Sequence, residues 1–399
     1  MSRIAFYSHD TVGLGHVRRN LLLAEALTKQ VPATTALLIC GTHLGAAFQL
    51  PPNVDCITLP GLAKAGDDGT YNPRHLAVAL TRVRQVRART TRAALLAFDP
   101  DLVVVDNVPR GALGEAEPAL AALRTRGRAR VVLGLRDVLD EPESVAREWR
   151  RSGHHEAIDR YYDQIWVYGD PRVCDMVREY GFPATTASKI QYVGYLDRRS
   201  TSAAPTNGEE LTSLPEHFVL CMTGGGQDGS ALALAFARAR TSPTPRVLVA
   251  GPFLPGDTLN VLQALAATDS RLHIVEFSMC AERLMERSDR VVIMGGYNTV
   301  CEALAYNKSM LIVPRDWPRR EQAIRAARLS ALDLAEVLPW SDVSPHAIGQ
   351  WLERPVSPLQ TRQLRFTALQ RVPELVAELL APIKTSHLLH ARAHYGFAS

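Results

Sequence analysis

The residues best suited to chemistry lie in short loops between apolar runs and helical patterns. Gly13, Gly15 and His16 follow "RIAFYS", Asp106 ends "DLVVVD", and Asp137 follows "VVLGLR". An imidazole titrates near pH 6.5, and carboxylates at strand ends can be tuned by their neighbours, so His16, Asp137 and Asp106 are candidates for a general base. Downstream, "TGGGQDGS" places Gly224, Gly225, Gly226 and Gln227 between a strand and a helix. Such glycines let the backbone approach a phosphate, which the helix dipole then favours. "GGYNTVCEAL" sets Gly295 and Gly296 at a strand end, Asn298 and Thr299 at a helix cap, and Glu302 one turn further in. A carboxylate there either accepts two ribose hydroxyls or simply stabilises the helix dipole.

Several chemistries are disfavoured by the same loops. The triple glycine lacks the Lys-[ST] of a P-loop, and the opening "GLGHVR" has Arg18 where a dinucleotide fingerprint requires its third glycine. The run "TALLIC" is followed by Gly41, Thr42 and His43 instead of a ribose-binding acid. Six cysteines are scattered without metal-ligand spacing, and the D-x-D of Asp99 to Asp101 reads as a turn before a strand. No metal and no bound cofactor are expected.

These loops need parallel strands to present them. Short β-branched runs alternate with helical patterns in two series, one from "RIAFYS" to "QIWVYG" and one from "HFVLCM" to "SMLIVP". The expected fold is α/β, with two Rossmann-like parallel-sheet domains facing an interdomain cleft. Residues 1–197 form the first domain, 198–215 a linker poor in large apolar residues, 216–357 the second domain, and 358–399 a helix and tail returning towards the first.

A formal charge of +4, interleaved with acids, gives no reason to expect nucleic acid. The 45 basic residues comprise 40 Arg and 5 Lys. No apolar run reaches the roughly 18 to 20 residues of a spanning helix, and the N-terminus turns polar after Tyr7, so a cytoplasmic location is expected. The helical stretch 74–98, with Arg82, Arg84, Arg87, Arg89 and Arg92, reads as a solvated face or as a surface for an anionic acceptor or a peripheral membrane contact.

Four segments, in order, resemble glycosyltransferases of the GT-B fold, in particular the MurG-type (family 28) enzymes that use UDP-N-acetylglucosamine. "GGGQDG" is similar to that family's GGSQG loop, and "EFSMCAERL" to its EF-x-x-x-M-A strand end. "GGYNTVCEAL" resembles its SG-x-x-T-x-x-E helix start, and "PRDWPRREQAIRA" its P-x-x-x-x-x-x-Q-Q segment. The opening "GLGH" resembles its N-terminal G-G-x-G-G-H loop, with flanks similar to those of a branch of MurG-like transferases.

The resemblance implies that Gly224, Gly225 and Gly226 lie near a diphosphate and that the backbone around Phe277 and Ser278 reads the base. Thr299 would bind a phosphate, Glu302 the ribose, and Glu321 with Gln322 the donor sugar. Three departures stand out: Glu321 replaces the family's first Gln, Arg315 and Asp316 replace neutral residues, and Asp228 replaces a glycine. The implied activity is inverting transfer of a sugar from a nucleotide-sugar donor, UDP-GlcNAc-like, to a hydroxyl or amine of a small-molecule or lipid-linked acceptor, by a monomer or homodimer. A nucleotide-sugar 2-epimerase and a non-catalytic partner protein of the same fold are the alternatives.

Overall fold

The computed structural model describes residues 2–9, 15–42, 50–65, 70–200, 213–239, 244–278, 281–315, 317–356 and 364–381. Gly13 and Asp316 lie outside the described residues, as does most of the expected linker.

The first half opens with β1 (Ser2–Ser8), α1 (Gly15–Gln30), β2 (Thr34–Cys40) and β3 (Val54–Thr58). A small antiparallel pair, β4 (Leu62–Ala65) and β5 (Thr70–Pro73), precedes α2 (Leu80–Phe98) and β6 (Leu102–Asp106). Then come α3 (Glu117–Arg126), β7 (Arg130–Arg136), α4 (Pro142–Arg151), α5 (His154–Tyr161), β8 (Gln164–Tyr168), α6 (Met176–Tyr180), α7 (Ala184–Ala187) and β9 (Ile190–Tyr192).

The second half runs β10 (Val219–Met222), α8 (Ser230–Arg238), β11 (Arg246–Val249), α9 (Gly256–Thr268), β12 (Leu272–Val275) and α10 (Ala281–Arg287). It continues through β13 (Arg290–Ile293), α11 (Tyr297–Ala305), β14 (Ser309–Ile312), α12 (Glu321–Ala331), β15 (Glu336–Val337), α13 (Pro345–Glu353) and α14 (Ala368–Leu380).

The order of the first sheet is β3-β2-β1-β6-β7-β8-β9 and that of the second is β12-β11-β10-β13-β14-β15, with every pair parallel. Strands such as "LVVVD" in β6 are buried throughout, because helices cover both faces of the sheet. In each sheet the chain reverses its direction of strand addition once, between β1 and β6 and between β10 and β13. Ligands of open parallel sheets bind beyond the carboxyl ends of the strands at such switch points. The loops after β1 and β6 therefore share one crevice, and those after β10 and β13 share another.

The C-terminal helix ties the halves together. Leu369, Val372, Leu375 and Val376 of α14 are buried in the same apolar cluster as Leu23 and Leu27 of α1, and Gln30 Nε2 donates to the Leu369 carbonyl at 3.0 Å. Helix α12 and the segment entering it supply further ties through charge. Arg319 meets Glu148 at 3.1 Å, Arg320 meets Glu141 at 2.6 Å, and Arg328 meets Glu179 at 2.6 Å.

Candidate active site

The two switch points face each other across a cavity of about 290 Å³. The first domain lines it with Gly15, His16, Arg18, Arg19 and Arg136, and the second with the loops after β10, β11, β12, β13 and β14.

His16 is the second residue of α1, and Asp106 ends the neighbouring strand β6. His16 Nδ1 lies 3.1 Å from Asp106 Oδ2, and Arg19 Nη2 lies 2.5 and 2.6 Å from the two Asp106 oxygens. Arg19 Nη2 also sits 3.0 Å from His16 Nδ1. Its two hydrogens both have closer acceptors on Asp106, so Nδ1 keeps its proton and donates to Asp106, leaving Nε2 as the basic nitrogen. Asp106 is 1% exposed. Burial alone would raise its pKa, but the charges and hydrogen bonds of Arg19 and His16 prevail and hold it well below the usual carboxylate range. Arg19 is itself buried, its guanidinium 5.3 Å from the Tyr168 ring and 5.4 Å from the Tyr297 ring.

Asp137 stands elsewhere, which corrects its assignment as a base. Its carboxylate accepts from Arg325 at 2.8 to 3.1 Å, from the Tyr195 hydroxyl at 3.0 Å and from its neighbour's backbone at 2.8 Å. It is 1% exposed and does not line the cavity. A carboxylate so fully engaged is an interdomain clasp, with no lone pair left for an acceptor proton.

The glycine-rich loop curls back on the loop after β11. Gly226 has φ +89°, and a Cβ there would sit 2.6 Å from the Ala250 carbonyl, so the turn needs glycine. Gly224, Gly225, Gly226, Gln227 and Asp228 all line the cavity, as do Phe277 and Ser278. Helix α11 begins after Gly296 without any side-chain cap, which corrects the expected capping by Asn298 and Thr299. Its first N–H groups thus remain for an anion, and Gly296, Asn298 and Thr299 line the cavity. Asn298 instead reaches across the cleft and donates to the Gly15 carbonyl at 3.1 Å. Gly295 does not line the cavity; its carbonyl accepts from Arg325 at 2.9 Å.

Glu302 is 1% exposed, does not line the cavity, and has Arg198 at 3.0 Å and Arg18 at 3.7 Å. The expected ribose reader is occupied by two guanidiniums in this arrangement. Arg315 joins two of the departures to itself, meeting Asp228 at 2.6 Å and Glu321 at 3.4 Å, while its backbone N–H donates to Gln322 Oε1 at 3.3 Å. Arg315, Asp228 and Gln322 line the cavity; Glu321 lies behind them, 5% exposed. Burial would raise the Glu321 pKa, but Arg136, Arg315 and Arg325 outweigh it and lower it.

Arg18, Arg19 and Arg198 were not singled out by sequence. The spacing of His16 and Arg19, three apart on one helix face, was the available signal for Arg19. Two other readings resolve structurally. Asp99 and Asp101 sit before β6, at the end opposite Asp106, and pair with Arg3 and Arg128. Arg87 is buried against Glu115 at 2.6 Å, whereas Arg82, Arg84, Arg89 and Arg92 of α2 are exposed.

Two parallel-sheet domains enclosing this cleft define the GT-B fold. CalG4, the calicheamicin glycosyltransferase, matches it with a TM-score of 0.60 at 17% identity, over 96% of this chain and 99% of that one. The UDP-GlcNAc 2-epimerase from Methanocaldococcus jannaschii matches with a TM-score of 0.59 at 11% identity, over 94% and 99%. Residues 252–379 match the glycosyltransferase family 28 C-terminal domain. The UDP-N-acetylglucosamine--N-acetylmuramyl-(pentapeptide) pyrophosphoryl-undecaprenol N-acetylglucosamine transferase of Streptococcus pneumoniae serotype 19F (strain G54) is 26% identical over 200 residues. That match covers 48% of this chain and 54% of the relative, so the chain spans about half the length of the curated relatives it matches.

Proposed function

We propose that this protein transfers a sugar from a UDP-sugar to an acceptor hydroxyl or amine, inverting the anomeric centre. The observation that carries the reading is the His16–Asp106 pair facing the glycine loop and the uncapped start of α11 across one cavity. His16 Nε2 takes the acceptor proton, Asp106 holds the ring and stabilises the imidazolium, and the backbone N–H groups of α11 receive the diphosphate. The family 28 domain and the relative named for N-acetylglucosamine transfer support a UDP-sugar donor. Asp228, Arg315 and Glu321 alter the charge of the expected sugar subsite, which favours a sugar other than N-acetylglucosamine.

The acceptor is a small molecule or a lipid-linked group. Exposed Leu76, Val78 and Val86 beside Arg82, Arg84 and Arg89 support an anionic or membrane-borne one. A thermal-shift panel of UDP-, dTDP- and GDP-sugars tests the donor, because binding stabilises in proportion to ln(1 + [L]/Kd). UDP-sugars should raise the melting temperature most; a preference for GDP- or dTDP-sugars contradicts the donor assignment. The epimerase-like fold supports a second reading, sugar epimerisation without an acceptor. Incubation with UDP-N-acetylglucosamine alone separates the two, since only an epimerase would change the sugar.

A further inference from the structure

We infer that Arg136 grips the leaving diphosphate from the first domain, opposite the start of α11, an assignment that rests on the UDP-sugar reading above. Four guanidiniums line the cavity. Arg19 has Asp106, Arg315 has Asp228 and Glu321, and Arg18 lies near Glu282 and Glu302. Arg136 alone of the four has no carboxylate within 4.0 Å among the described residues; like those of Arg19 and Arg315, its Nε is buried without a hydrogen-bond partner. Burial lowers its pKa; Glu321 opposes that effect from beyond ion-pair reach, and Arg19 and Arg325 add to it. A guanidinium held in this way is short of one anion.

Its position says which anion. Arg136 ends β7, next to the strand that ends in Asp106, so its side chain enters the cavity beside the His16 pair. The two arginines that bear on it both touch the turn opening α11: Arg325 donates to the Gly295 carbonyl at 2.9 Å, and Arg19 lies 5.4 Å from the Tyr297 ring. An oxyanion between the domains is then met by backbone N–H groups on one side and by a planar fork of donors on the other. As the bond from the anomeric carbon to the diphosphate oxygen breaks, its electron pair stays on that oxygen. Arg136 takes up the growing charge while the acceptor oxygen bonds to the carbon and its proton passes to His16.

Calorimetric titration of the wild type, Arg136→Met and Arg136→Lys with inorganic pyrophosphate, UDP and uridine tests the assignment. The Met variant should bind pyrophosphate and UDP about 10- to 100-fold more weakly and uridine unchanged, the range expected for one charge-assisted contact. The Lys variant should recover part of the loss, and kcat should fall in both. Because Arg136 has no direct ion pair to lose, only its longer-range support of buried Glu321, the Met variant should melt little lower than the wild type; Arg136→Gln serves as a second variant if the loss is larger. Unchanged pyrophosphate affinity in Arg136→Met and Arg136→Gln overturns the assignment, as does a wild type that ignores pyrophosphate. An effect confined to acidic acceptors or acidic donor sugars also overturns it. A wild type that binds pyrophosphate through Arg136 but no nucleotide contradicts the UDP-sugar reading instead.

Discussion

The Asn298 side chain donates to the Gly15 carbonyl at 3.1 Å, so the second residue of α11 in one domain is pinned to the first residue of α1 in the other. The contact sets the spacing between His16 and the α11 N-terminus, the two groups that the proposed transfer uses. A Cβ on Gly15 would lie 3.0 Å from Asn298 Nδ2.

Gly15→Ala should therefore displace the Asn298 amide and loosen the tie between the two helix starts. Small misplacements of reacting groups can cost up to about 100-fold in rate, and a loss of at least about 10-fold in kcat/KM is expected. Steady-state kinetics check this; an unchanged kcat/KM would make the contact incidental.

Asp106→Asn removes both the orientation of His16 and the partner of Arg19. Turnover should fall by about 10²- to 10⁴-fold, and stability by about 3 to 5 kcal/mol because a buried guanidinium is stranded. The folded pKa of Asp106 is depressed, so its stabilising contribution is present above the unfolded value near 4 and is lost as pH falls below it. Urea midpoints measured from pH 7 to pH 2 should show a gap between wild type and variant that is constant above about pH 5 and narrows as pH falls below about 4. A gap that does not narrow at all between about pH 5 and about pH 2 would contradict the ion-pair origin.

The interdomain clasps should differ sharply in weight. Arg325→Met strands buried Asp137 and should cost about 3 to 5 kcal/mol. Arg320→Ala breaks an exposed pair and should cost under about 1 kcal/mol. Chemical denaturation of the two variants measures both; equal effects would mean that burial of the Asp137 pair is not decisive.

Arg198→Ala should release Glu302 for a ribose. UDP should then bind up to about tenfold more tightly, a shift of about 1.4 kcal/mol, with little change for 2′-deoxy-UDP. Equal gains for both nucleotides would show that Glu302 does not read the 2′-hydroxyl.

Much of this architecture was legible in sequence, for physical reasons. Strands buried on both faces read as unbroken apolar runs, as in "LVVVD" and "RVVLGLR", and Gly226 stands where only glycine fits beside Ala250. What stayed hidden depends on partners far away along the chain. Asp106 and Asp137 are both acids at strand ends; they differ because one meets Arg19, 87 residues away, and the other meets Arg325, 188 residues away. Among 40 arginines, sequence could not separate Arg19 and Arg198 from those that cover solvated faces, whereas Arg136 stood with Asp137 at a strand end facing the cleft. Glu302 kept its family position, yet Arg198, the first residue of the expected linker, covers it.

The most direct test is acceptor-dependent release of UDP from UDP-sugars by the wild type and His16→Ala, with and without EDTA. The wild type should release UDP only with an acceptor and regardless of chelation, while His16→Ala should bind UDP normally and turn over about 10²- to 10⁴-fold more slowly. Full turnover by His16→Ala, or a modified sugar formed without any acceptor, would contradict base-assisted sugar transfer.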